Sequence, residues 1–396
     1  MATIERPSSA FLTVATFVGF SLYILGCTPP KPEQQEPAAN NDQAAPEPDQ
    51  AQADTGTTGK YSPVKARARD FYAPNTEDLG PDEMRLIACG TGMPNNYLDK
   101  VFLSHLHTDH FGDLDALFVG GALAGRQRPL RVWGPSGETP ERGTKYALEH
   151  LRKALTWDLD GRQGLTDPRG YHFDVTEFDY MGVNAIVYQE NGVTIRSIPA
   201  IHSLDGPVSF IVEWNGFKFV FGGDTYPNKW YAKYATGADL AIHECFVAVP
   251  DMIEKFKFTP QGALAVGTQI HTAPEAFGKV MSIIKPRMAV AYHFFKDFDT
   301  TGPISDRIRT TYDGPLSLSI DYMVWNITKD DIRVRMAIVD EDVWPPPATD
   351  KPQLPDPAAR IPYSDAISSG RLDMKKVIQP TYDEINKQYG LNEKQE

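Results

Sequence analysis

The 396-residue sequence has only three cysteines, too few for a disulfide framework. Cys89 and Cys245 stand in apolar, strand-like runs where a buried thiol is the ordinary state. Positive charge is also scarce: 39 Lys and Arg against 52 Asp and Glu leave a net charge of −13. No Lys/Arg cluster is present, and a chain that grips nucleic acid by releasing counterions needs a basic surface, so nucleic acid is not an expected partner. No internal repeat occurs, and no apolar run reaches the roughly 20 residues of a membrane-spanning helix. With 41% hydrophobic residues, the chain is long enough for one large core or two smaller ones.

The longest apolar run, AFLTVATFVGFSLYIL from Ala10 to Leu25, follows Arg6 and ends at Gly26-Cys27. Ile24-Leu25-Gly26-Cys27 resembles a bacterial lipobox, so residues 1–27 are expected to be a lipoprotein-type signal peptide with Cys27 carrying lipid. A plain N-terminal anchor is the alternative. Either way the N-terminus meets a membrane, and the rest is exported to the periplasmic or cell-surface side. Residues 28–60 are rich in Pro, Ala, Gln and acids, and read as a disordered linker. Residues 61–343 carry the folded domain. Residues 344–396 form a polar tail opened by Pro345 to Pro347, with one helix expected near Met374 to Tyr389.

Within the domain, MRLIACG (Met84 to Gly90), KVFLS (Lys100 to Ser104), LRVWGP (Leu130 to Pro135) and VTIRSIPAIH (Val193 to His202) read as strands. PVSFIVEWNGFKFVFGGD, from Pro207 to Asp224, reads as a hairpin turning at Asn215-Gly216. ADLAIHECF (Ala238 to Phe246) and RMAVAYHFF (Arg287 to Phe295) are buried strands. Between them Thr272 to Pro286 has helical spacing, with Thr272 and Glu275 as a capping box. Tyr322 to Val339 is a last hairpin. This mixture of hairpins and α-alternating strands predicts a layered α/β fold with mixed sheets.

Seven of the nine histidines, all but His150 and His172, fall at the ends of apolar strands or just beyond them. In FLSHLHTDHFGD (Phe102 to Asp113), His105 and His107 lie two residues apart on extended backbone and reach one point. Asp109 and His110 come round as the chain enters a helix near Phe111 and face a second point. His202 is the natural third ligand for the first ion, leaving an open position as catalytic zinc requires. Asp224, after two glycines, is placed to bridge, and His293 completes the second site with Asp109 and His110. Two divalent ions roughly 3.5–4 Å apart activate water and neutralise developing negative charge, which is hydrolysis chemistry. Zinc suits these donors, and Mn2+ or Fe2+ would also.

HLHTDH followed by His202, Asp224 and His293 resembles the motif set of the metallo-β-lactamase fold, over about Arg85 to Val339. The resemblance implies an αββα sandwich with the dinuclear site at the rim of its sheets. Asp224 rather than cysteine at the bridging position is unlike true zinc β-lactamases. AIHECF with the later HTAPEAFGKV is similar to the ribonuclease Z and arylsulfatase branch, which implies that His271 protonates the leaving group. At a helix N-terminus the charged form of His271 is disfavoured, so a carboxylate neighbour is needed, and Glu244 is the candidate. His243 reads as a packing residue. The stretches SIPAIHSLDGPVSFIVEWNGFKFVFGGDTYPNKWY and TYDGPLSLSIDYMVWN are similar to the metallo-hydrolases found with guanitoxin biosynthesis genes.

One departure stands out. Where the family places two more strands after its G-T-G-x-P turn, Gly90-Thr91-Gly92-Met93-Pro94 runs almost directly into the strand of Val101. About forty residues are missing, enough for a hairpin, so the sandwich is expected to lack an early β-hairpin. The leading expectation is an exported dinuclear hydrolase of a small phosphodiester or sulfate ester, in which metal-bound hydroxide attacks and Asp109 and Asp224 orient it or share its proton. A ribonuclease Z-like tRNA 3′ endonuclease and a lipid-tethered, non-catalytic metal-binding protein are the alternatives. A homodimer is left open.

Overall fold

A computed structural model describes residues 13–17, 21–25, 70–72, 77–89, 98–123, 125–296, 299–338 and 359–394. Cys27, the acidic linker, the GTGMP turn and the Pro345–Pro347 run lie outside the described residues. Among those described, sixteen strands form a nine-stranded and a seven-stranded sheet. In the larger sheet the spatial order is Asp70–Tyr72, Ile332–Ala337, Met323–Ile327, Met84–Cys89, Thr13–Phe17, Ser21–Leu25, Leu98–Leu103, Leu130–Pro135, Phe173–Phe178. The smaller runs Leu316–Leu318, Met288–Tyr292, Leu240–Glu244, Phe217–Phe221, Val208–Trp214, Val193–Pro199, Ala185–Glu190.

Period-two burial stacks the sheets. Phe102 faces the space between them while Val101 and Leu103 point out to the helices; likewise Phe210 and Val212 point in and Ile211 out. Met84, Leu86, Phe102, Phe219, Phe221 and Trp325 fill the inner layer. Phe118 on helix Leu114–Leu123 and Leu148 on helix Thr144–Ala154 cover the outer face of the larger sheet. Phe277 and Met281 on helix Pro274–Ile284, with Ile304 and Ile308 on helix Thr301–Arg309, cover that of the smaller. This is the expected layered α/β arrangement, helix on sheet on sheet on helix. Asn215 and Gly216, with φ of 49° and 78°, make the predicted hairpin turn.

Three expectations are corrected. The missing hairpin's place is filled: Thr13–Phe17 pairs with Met84–Cys89, and Ser21–Leu25 with Leu98–Leu103. Residues 13–17 and 21–25 of the run read as an export leader are thus strands in the middle of the larger sheet. The Thr272–Glu275 capping box does not form. The Thr272 hydroxyl donates instead to the Thr225 carbonyl at 2.6 Å, Glu275 pairs with Arg307, and the helix starts with Ala273 as N-cap and Pro274 behind it. Finally, Asp109 and His110 do not stand just before a helix starting near Phe111 but within a short helical turn, Thr108–Phe111, ahead of the helix Leu114–Leu123. The tail helix spans Lys375–Tyr389 with Pro380 inside it.

Candidate metal centre

Each predicted donor leaves the end of a strand, and the two sheets meet there. The Val208 amide donates to the Ser104 carbonyl at 2.9 Å, tying the end of Leu98–Leu103 to the opposite sheet. Gly223 has φ of +60°, and a Cβ there would stand 2.8 Å from the Ser104 Cβ, so only glycine lets the Asp224 segment pass this close. His293 follows Met288–Tyr292 with φ of 69°, which turns its ring back over the strand ends.

All seven expected ligands converge. His105 Nε2 and His202 Nε2 lie 3.2 Å and 3.1 Å from His107 Nδ1. Two imidazole nitrogens on one tetrahedral zinc, each about 2.0–2.1 Å from it, stand about 3.3 Å apart, so this donor spacing fits a zinc ion. Second partners set the tautomers: the Ile270 carbonyl can only accept, so His202 Nδ1–H donates to it at 3.3 Å, and with His105 Nε2 turned to the metal its Nδ1–H donates to the Ser104 hydroxyl at 3.2 Å. Both assignments leave Nε2 with its lone pair toward the centre. The second group is Asp109, His110 and His293. Asp109 Oδ2 lies 3.3 Å from His110 Nε2 and 3.5 Å from His293 Nε2. Asp224 joins the groups, its Oδ2 being 3.1 Å from His110, 3.3 Å from His293 and 3.7 Å from His202. Its Oδ1 is buried without a hydrogen-bond partner, which suits a cation ligand.

Electrostatics follow from this crowding. Burial raises the Asp224 pKa, but the surrounding histidines, His293 and His110 foremost, outweigh it and hold the group well below the usual carboxylate range. Hydrogen bonds from His110 and His293 do the same for Asp109, whose side chain is 60% exposed at the mouth. Burial lowers His105 and His202, while His110, despite burial, is raised by Asp109 and Asp224.

The pair inferred for proton transfer is also in contact: His271 Nδ1 lies 2.7 Å from Glu244 Oε2. The reason given for needing that neighbour is corrected. His271 does not begin a helix but ends the π-helical turn Val266–Ile270, and burial, not a dipole, pushes it down to about 3. Glu244 is fully buried and pushed up, with its Oε1 accepting from the Thr225 amide at 2.5 Å. Phe246 stacks on the His271 ring at 4.3 Å and 9°, a support that only its closeness to His243-Glu244 in sequence could have suggested. His243 packs as expected, edge-on against Tyr231, with Nδ1 2.8 Å from the Glu244 carbonyl.

The sequence pattern of the beta-lactamase superfamily domain matches residues 80–294, a little over half of the chain. The chain belongs to the metallo-β-lactamase superfamily. Ribonuclease Z of Mycolicibacterium gilvum is 29% identical over 214 residues, covering 50% of this chain and 68% of that protein. Ribonuclease Z of Mycobacterium bovis is 30% identical over 207 residues, covering 50% and 65%. The chain therefore spans about two thirds of the length of these relatives. The metallo-beta-lactamase fold protein YhfI from Bacillus subtilis is 17% identical, with a TM-score of 0.42 over 59% of this chain and 80% of that one. Metallo-β-lactamase domains of this kind point to a metal-dependent hydrolase, and the converging His and Asp groups could hold its divalent ions.

Acid should loosen the metal-free protein in a defined window. His105, His202, His243 and His271 have pKa values below the ordinary 6.5 in the folded chain. The unfolded chain therefore binds more protons there, and their contribution is present above about pH 6.5 and lost as pH falls below it. His110 and Glu244 run the other way, since their raised values favour the folded state in acid. Four groups oppose two, so the melting temperature in chelator is expected to fall modestly between pH 7 and pH 5. A flat profile would count against neutral, lone-pair-bearing histidines.

Proposed function

We propose that the chain is a two-zinc hydrolase of a small phosphodiester or sulfate ester. Asp224 carries the reading: one buried carboxylate touches histidines of both donor groups, and its Oδ2 lies 3.9 Å from His271 Nδ1. Bound ions would supply Lewis acidity, polarising the ester oxygens and making water more acidic. The chain's own groups orient and move protons. Asp109, at the exposed mouth, accepts a hydrogen bond from incoming water and orients it. Glu244 and His271 share two protons in either of two arrangements. As a neutral pair Glu244 donates to Nδ1, and as an ion pair Nδ1–H donates to Glu244. Nε2 keeps its proton in both, ready for the leaving oxygen.

Glu244→Gln preserves the side chain's shape and removes its acid. Its turnover is expected to fall about 10- to 100-fold with metal content unchanged, as for a residue that orients another. The loss should be larger for an alkyl ester than for a p-nitrophenyl ester, because p-nitrophenolate leaves without a proton. Equal losses on both substrates would remove His271 from the proton-donor role.

The name ribonuclease Z, carried by relatives at 29–30% identity, favours a second reading, cleavage of RNA. A net charge of −13 opposes it. Metal-dependent cleavage of bis(p-nitrophenyl) phosphate or p-nitrophenyl sulfate with a tRNA precursor left intact supports the first reading. The reverse supports the second, and a fully metallated chain inert toward both is a binding protein. Lipid attachment at Cys27 with cleavage before it would take Thr13–Leu25 out of the sheet, so an exported form must close that sheet another way.

A further inference from the structure

Beside the metal centre lies a cavity of about 550 Å3, a size that suits a small molecule. His202 forms part of its wall, and so does Ile270, whose carbonyl accepts from His202. The rest of the wall is largely apolar, with Met181, Ile201, Leu204 and Trp230 contributing. Met181 and Leu204 are 63% and 53% exposed. Large apolar side chains left together in water beside a polar centre mark a binding surface.

Charge is nearly absent from the lining. Apart from His202 it has one charged side chain, Asp205, and neither Lys nor Arg. Lys229, next to Trp230 in the chain, keeps its ammonium 5.3 Å over the Trp230 ring and is not part of the wall. A wall of this kind offers a second phosphate or a polyanion nothing to pair with.

Hydrogen bonds fix one side of the cavity. The Ala200 amide donates to the Pro207 carbonyl at 2.9 Å, closing the base of the loop that carries Leu204. The Ile201 amide donates to the Thr225 hydroxyl at 2.9 Å, and the Tyr226 amide to the Ile201 carbonyl at 2.7 Å. Both bonds tie the loop to the segment following Asp224, so this side of the wall is joined to the stretch that carries a metal ligand.

We propose that this cavity receives the uncharged, apolar leaving alcohol of the ester, an aryl or branched-alkyl group. The inference rests on the ester-hydrolase reading above and adds which half of the ester lies where. The ring of His202, in the wall, lies 4.9 Å from that of His271, so the cavity adjoins the residue that protonates the leaving oxygen. In the balanced step, the oxygen of water bonds to phosphorus or sulfur and the bond to the alcohol oxygen breaks. That oxygen takes the proton of His271, and the proton lost by water returns to the imidazole.

The experiment uses the full-length, zinc-loaded chain, and its first measurement needs no turnover. Binding of 1-naphthol, a free aryl alcohol, is measured by calorimetry and compared with Leu204→Asp and Met181→Asp. Both positions are largely exposed, so neither substitution removes core packing, and unchanged zinc content and melting temperature verify this. Naphthol binding is expected to weaken about tenfold or more in each variant. KM for a naphthyl phosphodiester should rise in parallel while kcat moves far less. Naphthol binding that is absent, or indifferent to both substitutions, overturns the proposal. Failure of the hydrolase reading shows separately, as no turnover by a chain that still binds naphthol in a Leu204-dependent way; that outcome keeps the apolar site and overturns its assignment to a leaving group.

Discussion

Asp224→Ala is expected to lower turnover about a thousandfold and to take bound zinc from about two ions per chain to about one or fewer. The carboxylate is 1% exposed and lies within 3.1–3.7 Å of His110, His293 and His202. Only a shared anion makes it favourable to hold two dications among neutral imidazoles, because like charges this close repel strongly where water is excluded. Asp109 cannot replace it, being 60% exposed at the mouth and in contact with the second group alone. Asp224→Asn keeps the shape and one oxygen donor but loses the charge, so it should fall between wild type and Ala in zinc content. Metal analysis by mass spectrometry alongside bis(p-nitrophenyl) phosphate turnover checks both variants. An alanine variant that retains both ions and full activity would falsify the bridging role.

The ligands were legible in the sequence because a metal site needs particular letters in particular places. Strand-end histidines are rare enough that their clustering carried His105, His107, His110, His202 and His293 to one rim. What supports them was not legible, for a physical reason. The Ile270 carbonyl that orients His202, the Thr225 amide that fixes Glu244 and the Ser104 carbonyl that joins the sheets are backbone groups, and every residue has them. The Thr272–Glu275 motif misled in the opposite way. Its letters match a capping box, but Thr225 and Arg307, distant in sequence, offered those side chains better partners. Phe173–Phe178 and Ala185–Glu190 were passed over as strands because they run along sheet edges with much of their length exposed, so hydrophobic patterning is weak there.

Removing residues 1–27 is the other change expected to have a large effect, on folding instead of chemistry. Two strands, Thr13–Phe17 and Ser21–Leu25, lie between Met84–Cys89 and Leu98–Leu103. At about 4.8 Å per strand, their loss leaves the flanking strands about 14 Å apart, too far for side chains to bridge. Val14 and Leu22 stand in register with Leu86 and Phe102, both of which fill the inner layer. The gap therefore opens the core itself, directly below the strand that ends in His105 and His107. Domains of this size are stable by only about 5–15 kcal/mol, and each large apolar side chain left exposed costs about 1.5–3 kcal/mol. A chain beginning at Thr28 is expected to lose its cooperative melt and bind zinc poorly, while the full-length chain melts sharply. The mass of the mature N-terminus, measured on protein recovered from cells, tells which form is made. If the chain beginning at Thr28 melts at the full-length temperature with both ions bound, then the apolar run is a leader and the larger sheet closes without it.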